Sequence, residues 1–271
     1  MAEGLLLVGC GKMGGAMLQG WIAEGTDPES VVVIEPEETL RGKLNETGVC
    51  AVNTADGIPE DFAPDCVIFA VKPQQMAKVI PAYKRFKSPE TQFLSIAAGT
   101  TIDFFEDELG HDAAIVRTMP NTPAAVAKGM VVACPNGNVT DAMRERATAL
   151  LSAVGEVAWI EDEALMDAVT AVSGSGPAYV FHLIETLGKA GVEAGLPEEL
   201  AKQLALQTVY GAGALARDAD DDPAQLRVNV TSPGGTTAAA LEVLMGADGL
   251  QQLMTRAVAA AAERGRELGK S

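Results

Sequence analysis

The stretch LLLVGCGKMGGAMLQGWIAEG, Leu5 to Gly25, decides how this chain folds. An apolar run, Leu5–Val8, meets a glycine-rich turn, and helix-forming residues follow from Gly14 to Ala23. Apolar residues on consecutive positions predict a strand buried on both faces. Gly9, Gly11 and Gly14 stand in the spacing GxGxxG, and each has its own task. Gly9 allows the tight turn. Gly11 lets a pyrophosphate come up to the backbone at the positive end of the helix, and Gly14 lets the helix pack close to the strand. Alone the motif is weak; here it has a strand before it, a helix after it and a second apolar run, VVVIE (31–35), beyond. The reading is a dinucleotide-binding βαβ unit.

Working outward, the first half alternates apolar runs with helical stretches. VIFAV (67–71), FLSIA (93–97), AIVRT (114–118), MVVAC (130–134) and VAWI (157–160) are further strand candidates. Helices are expected over 38–45, 75–86, 102–109 and 141–153. Such alternation implies a mostly parallel sheet with helices on both faces. After Glu161 the strand-like runs stop. Ala, Leu, Glu and Gln dominate, punctuated by SGSGP (173–177), GLP (195–197), DDDP (220–223) and SPGG (232–235). The expectation is an α/β chain: a Rossmann-type dinucleotide-binding domain over 1–161, then an all-helical domain of four to six helices over 162–271.

The bulk composition excludes several classes. The 271 residues suffice for two small domains with cores of their own. A net charge of −17 argues against a nucleic-acid partner, whose binding rests on Lys and Arg. No apolar run reaches the roughly 18 residues of a membrane helix, and the N-terminal residues do not read as a signal peptide. The four scattered cysteines form no CxxC pair and there are two histidines, so no metal site is expected. Reduced thiols and a cytoplasmic location are the expectation.

Glu35 ends the second apolar run, about 20 residues beyond the glycines, where a carboxylate takes the adenosine ribose hydroxyls. It would repel a 2′-phosphate, so the chain leans to NADH over NADPH, although Arg41 is within reach of a phosphate. FAVKP (69–73), SIAAGT (95–100) and RTMPNTPAAV (117–126) end three strands at the carboxyl edge, where open α/β sheets bind ligands. In the last of these two prolines fix the loop, and Asn121 offers an amide to a substrate. His182 stands in an apolar context and reads as an interior or interface histidine. VTSPGGTTAAAL (230–241) reads as a second anion site. The amides of Gly234, Gly235, Thr236 and Thr237 at a helix start, with the hydroxyls of Ser232 and the threonines, suit a small carboxylate. Ser232 as a plain N-cap followed by Pro233 explains only part of that stretch.

Six blocks, GCGKMG, AVKPQ, SIAAG, RTMPNTP, DAVTAVSGSGPAY and VTSPGGTT, make the chain resemble the Δ1-pyrroline-5-carboxylate reductases. They occur in that family's order and cover nearly the whole chain. The resemblance implies reduction of a cyclic imine to proline with NADH or NADPH. It also implies a helical domain that dimerises by interleaving helices, with higher assemblies of dimers open, and an active site that includes partner residues. By it, Gly9, Gly11, Lys12 and Met13 match the pyrophosphate loop. Ala70, Val71, Lys72, Pro73, Ala97 and Ala98 match walls beside the nicotinamide half. Ser232 and the Gly235–Thr236 backbone match the carboxylate clamp, and the hydroxyl of Thr237 lies on the ring nitrogen. One departure is Glu35-Pro36 where NADPH-using members commonly carry Ser, Asn or Arg.

Three other readings stay open. A reductase of another cyclic or open imino acid would need the same carboxylate clamp. A β-hydroxyacid dehydrogenase shares the two-domain plan but resembles its kin in carrying a Lys soon after a Gly-x-Gly turn; here none appears between Gly176 and Lys189. A non-catalytic dinucleotide sensor would have no reason to keep SPGGTT.

Overall fold

The computed structural model describes residues 4–269. By packing, the chain divides into a sheet unit, which runs to Gly174 and resumes at Ala262, and a helical unit, Ser175–Ala261. Residues 162–174 thus pack with the sheet.

The sheet unit holds eight strands: β1 (Leu5–Val8), β2 (Val31–Ile34), β3 (Cys50–Val52), β4 (Cys66–Phe69), β5 (Gln92–Ser95), β6 (Ala114–Met119), β7 (Gly129–Pro135) and β8 (Gly155–Trp159). Their spatial order is β3-β2-β1-β4-β5-β6-β7-β8. The first six run parallel, β7 turns antiparallel to β6, and β8 is parallel to β7. The order reverses between β1 and β4, which opens the crevice where doubly wound sheets take ligands. Strand β3, three residues long, was not expected from the sequence.

Alternate residues of each strand enter opposite core layers. Leu5, Leu7, Ile68 and Leu94 pack with Met17 and Trp21 of α1 (Lys12–Ala23) and Leu150 of α5 (Asp141–Ser152). Leu6, Val8, Phe69 and Phe93 pack with Phe105 of α4 (Ile102–Leu109) on the other face. The indole N–H of Trp21 donates to the Leu150 carbonyl at 2.8 Å and fastens α1 to α5. Helix α2 (Glu38–Glu46) lies on the expected residues. The helix expected over 75–86 is instead a short α3 (Met76–Val79) followed by a tighter 3₁₀ run, Ile80–Phe86. Pro81 near its start lacks the N–H an α-helix needs there. After β8 come α6 (Met166–Val169) and a π-helical turn, Thr170–Gly174.

The helical unit contains α7 (Gly176–Glu193), α8 (Glu198–Asp218), α9 (Pro223–Asn229), α10 (Thr236–Leu244) and most of α11 (Leu250–Leu268). Gly188 and Gly191 of α7 face Ala201 and Ala205 of α8, and these small residues let the two helices approach closely. Much of the unit's apolar surface stays uncovered in the single chain. Phe181 is 63% exposed, Leu206 57%, Tyr210 69% and Val243 76%. Exposed apolar side chains in this number mark a candidate association surface.

Candidate active site

Within the sheet unit, the predicted nucleotide residues meet at the carboxyl edge. Gly9 has φ +94°, and its N–H donates to Ile34 O at 2.9 Å, tying the loop to the end of β2. A Cβ there would lie 2.9 Å from Val71 Cγ1 and 3.0 Å from Ala70 O. A Cβ on Gly14 would run into the carbonyl oxygen of Gly9. Gly11 differs: a Cβ would meet nothing within 4 Å, so space stands open over its backbone. Gly11 is also the N-cap of α1 and caps it with no side chain. The first-turn amides, Lys12 to Gly14, are the orphan donors of a helix start and suit an anion. A cleft of about 430 Å³ flanks this loop, lined in part by Cys10, Gly11, Lys12, Leu40 and Leu44.

Glu35 sits at the end of β2, 8% exposed. Its Oε2 accepts the Cys10 N–H at 3.2 Å, and its Oε1 accepts the Glu37 N–H at 2.9 Å. The carboxylate therefore braces the glycine loop from beneath, a role the sequence did not reveal. Each oxygen keeps a lone pair for a ribose hydroxyl. Arg41 Nη1 donates to the carbonyls of Glu35 at 2.9 Å and Pro36 at 3.0 Å. Burial, and then the Glu35 carboxylate, push the Cys10 thiol up to about 11.

The residues expected beside the nicotinamide follow β4 and β5. The Ala70 N–H donates to Val8 O at 2.8 Å, and the Ile96 N–H to Phe69 O at 3.1 Å, so these loops leave the edge side by side. Lys72 and Pro73 are exposed, Ala98 is exposed, and Ala97 is buried at 4%. Ala97 thus turns its methyl into the core and leaves Ala98 and the backbone to face a ligand.

Asn121 does not offer a free amide. Its Oδ1 accepts the Met130 N–H at 2.9 Å and its Nδ2 donates to Ser173 O at 3.1 Å. Near it, the buried Arg117 pairs with Glu163 at 2.6 Å, and the same carboxylate oxygen accepts the Ile102 N–H at 2.8 Å. Sequence reasoning missed this pair, whose partners lie 46 residues apart.

In the helical unit, Gly235, not Ser232, caps α10. Gly234 takes φ +66°, and the Gly235 N–H turns back to Ser232 O at 3.0 Å. That amide is occupied, and the orphan donors are those of the first turn, beginning at Thr236 and Thr237. The side chains of Ser232, Thr236 and Thr237 are exposed, and among the described residues their hydroxyls have no partner. His182 is exposed on α7, with Nδ1 3.2 Å from Glu185 Oε2; in the single chain it is not interior.

A doubly wound sheet with an open glycine loop, a carboxylate at the end of β2 and a helical unit short of its own core define a dinucleotide-dependent oxidoreductase built to associate. Comparison with known proteins narrows this. Residues 163–268 match the family described as pyrroline-5-carboxylate reductase dimerisation, and residues 5–99 match NADP oxidoreductase coenzyme F420-dependent. The chain belongs to the pyrroline-5-carboxylate reductase family. A pyrroline-5-carboxylate reductase of Pseudomonas aeruginosa is 40% identical over 98% of this chain and 97% of its own. One of Synechocystis is 41% identical over 100% of both chains. The solved structure of the Coxiella burnetii pyrroline-5-carboxylate reductase superposes with a TM-score of 0.93 at 35% identity, covering 99% of each chain.

Proposed function

We propose that this chain reduces the C=N bond of Δ1-pyrroline-5-carboxylate to give L-proline, the closing step of proline biosynthesis, with hydride from a nicotinamide dinucleotide. The observation that carries the reading is full-length similarity to reductases of that name, joined to two helix heads that present orphan donors, one on each unit. The open space over Gly11 fits a pyrophosphate and the Glu35 carboxylate fits a ribose diol, so the residues present suit the dinucleotide.

The dinucleotide, when bound, supplies the hydride. Gly9, Gly11, Lys12, Met13 and Gly14 hold its pyrophosphate, Glu35 its adenosine ribose, and Ala70–Pro73 with Ala98 wall the nicotinamide end. The Ser232 hydroxyl, Gly234 and the Thr236 amide clamp the substrate carboxylate, Gly235 shapes the turn between them, and the Thr237 hydroxyl orients the ring nitrogen. Holding the two reactants in register supplies most of the acceleration, as effective molarity does in any positioned bimolecular step. Glu35 disfavours a 2′-phosphate, which makes NADH the preferred donor. A solved neighbour from Plasmodium falciparum, 32% identical, has NADP bound, so the preference is a property to measure in this chain. The exposed apolar faces of the helical unit meet those of a second copy in a homodimer, which works in the cytoplasm.

The test is oxidation of NADH and of NADPH, followed by absorbance, with Δ1-pyrroline-5-carboxylate present. Faster turnover with NADH is the expected result, and Glu35→Ser moves the ratio toward NADPH. An unmoved ratio removes Glu35 from cofactor choice. Absence of turnover with either donor, alongside measurable dinucleotide binding, refutes the assigned substrate.

A further inference from the structure

We infer that Asn121 is a positioning residue, whose amide latches the π-helical turn Thr170–Gly174 beside the nicotinamide-side loops, and is not a substrate ligand. The inference deepens the reductase reading and rests on it for its kinetic part.

Both ends of the amide are committed. Oδ1 takes the Met130 N–H at 2.9 Å, which fixes Asn121 to the start of β7. Nδ2 gives a hydrogen to Ser173 O at 3.1 Å and lies 3.4 Å from Ser173 Oγ. One side chain thus joins the loop after β6, the start of strand β7 and the π-helical turn. A π-helical turn widens the backbone by one residue and matches carbonyls poorly to the following helix ladder, and the Asn121 amide satisfies one of them, Ser173 O.

A second contact grips the same turn. A Cβ on Gly174 would overlap Met119 Cε, the mobile end of that side chain, so the turn packs directly against Met119 at the end of β6. At the other end of the segment, Glu163 is held by Arg117 and by the Ile102 N–H, and Met166 between them is 1% exposed. Residues 163–174 are therefore fastened at both ends to the carboxyl side of the sheet. Asn121 thus fastens Ser173, one residue before the first stretch of the sheet unit ends at Gly174.

The location gives the latch its consequence. Thr118 Oγ1 donates to Ser95 O at 2.9 Å, so the loop carrying Asn121 leaves the sheet next to the one carrying Ala97 and Ala98. A turn held there shapes the wall beside the hydride donor. Loosening the turn misplaces that wall while leaving the glycine loop and Glu35 untouched.

Asn121→Asp separates the roles. Aspartate still accepts from the Met130 N–H, but it sets an acceptor against the Ser173 carbonyl. Expected are unchanged NADH affinity, an unchanged KM for the imine, and a kcat lower by about 10- to 100-fold, the penalty of roughly ångström misplacement. Amide hydrogen exchange over residues 170–174 should quicken by about fivefold or more, the worth of one lost hydrogen bond. A raised KM with kcat intact would make Asn121 a substrate ligand and overturn the inference. Unchanged exchange over 170–174 would overturn it whatever the reaction is, because that readout needs no turnover. Should Asn121→Asp fail to fold, Asn121→Ala drops both bonds without adding charge and is judged by the same two measurements.

Discussion

Two glycines three positions apart, Gly11 and Gly14, give the sharpest test of the nucleotide loop. Gly11 has φ −66° and ψ −163°, a conformation alanine adopts freely, and a Cβ there meets no protein atom within 4 Å. Gly11→Ala should therefore leave the melting temperature close to that of the parent. The methyl group instead occupies the space a pyrophosphate needs to reach the first-turn amides. Losing one or two charge-assisted hydrogen bonds of about 1.5–3 kcal/mol each raises the dinucleotide Kd by roughly 10- to 10,000-fold. Gly14→Ala behaves oppositely in the first measurement. Its Cβ overlaps the Gly9 carbonyl oxygen and lies 3.1 Å from Ala70 Cβ, so α1 must move off the strands. Overpacking of this kind costs about 1–3 kcal/mol, roughly 2–10 °C in a chain of this size. Calorimetry for stability, with fluorescence titration of NADH for affinity, reads both. A Gly11→Ala protein that binds NADH as the parent does would refute the reasoning, because nothing would then approach the backbone at that residue.

Ala127 holds φ +53° and ψ 34°, left-handed backbone that costs a non-glycine residue about 1–2 kcal/mol. Ala127→Gly removes that strain against a smaller loss from the freer unfolded chain, and should raise the melting temperature by about 1–3 °C; a lower value would mean the turn is relaxed as it stands. Burial pushes Cys10 and Cys134 up to about 11 and Cys66 up to about 12, against an ordinary thiol value of 9.0. Below pH 9 folded and unfolded chains hold these protons alike. From 9 to about 11 only the unfolded chain releases them, so stability falls as pH rises through that window. Melting curves between pH 8.5 and 10.5 should show the decline, and replacing the three thiols by alanine should flatten it; an undiminished slope would assign the loss to other groups.

How much of this was written in the sequence varies by element. Strands β1, β2 and β4 announced themselves because a strand covered on both faces is apolar at every position, and β5 and β6 by the shorter apolar runs Phe93-Leu94 and Ala114–Val116. Strand β3 hid because Cys50-Ala51-Val52 is too short to carry any period. The reversal at β7 was legible in principle: the link Pro120–Lys128 is too short for the helical crossover that a parallel neighbour demands. At the site, glycines declared themselves by spacing, since a backbone that must approach a ligand can use no other residue. Glu35 was found as a carboxylate at a strand end, yet its bracing of Cys10 was not, because a hydrogen bond across 25 residues leaves no local pattern. The bonds of Asn121 to Ser173 and of Arg117 to Glu163 were hidden for the same reason. The N-cap of α10 fell at Gly235 because Ser232 spends its carbonyl closing the turn onto the Gly235 N–H, three residues beyond where Ser-Pro alone would start a helix.

The poverty of acid–base groups at the two sites is itself informative about the proton. Of the residues assigned here to dinucleotide and substrate, only Lys12, Glu35 and Lys72 titrate. Lys12 stands in the glycine loop, and Glu35 is tied to two backbone amides at the end of β2. Lys72 is exposed after β4, beyond the Ala70–Val71 wall. A carbonyl reduction would need a group poised to protonate an alkoxide. An imine nitrogen is basic enough to arrive protonated or to take its proton from water, and a hydroxyl then suffices to orient it. Thr237→Ala should accordingly lower kcat by about 10- to 100-fold while leaving the dinucleotide Kd unchanged, and the shape of the pH–rate profile should survive, because the titrating group is the substrate and not the side chain removed. A profile that loses its limb in Thr237→Ala, or one whose midpoint moves in Lys72→Met, would place the proton on the enzyme and refute the argument.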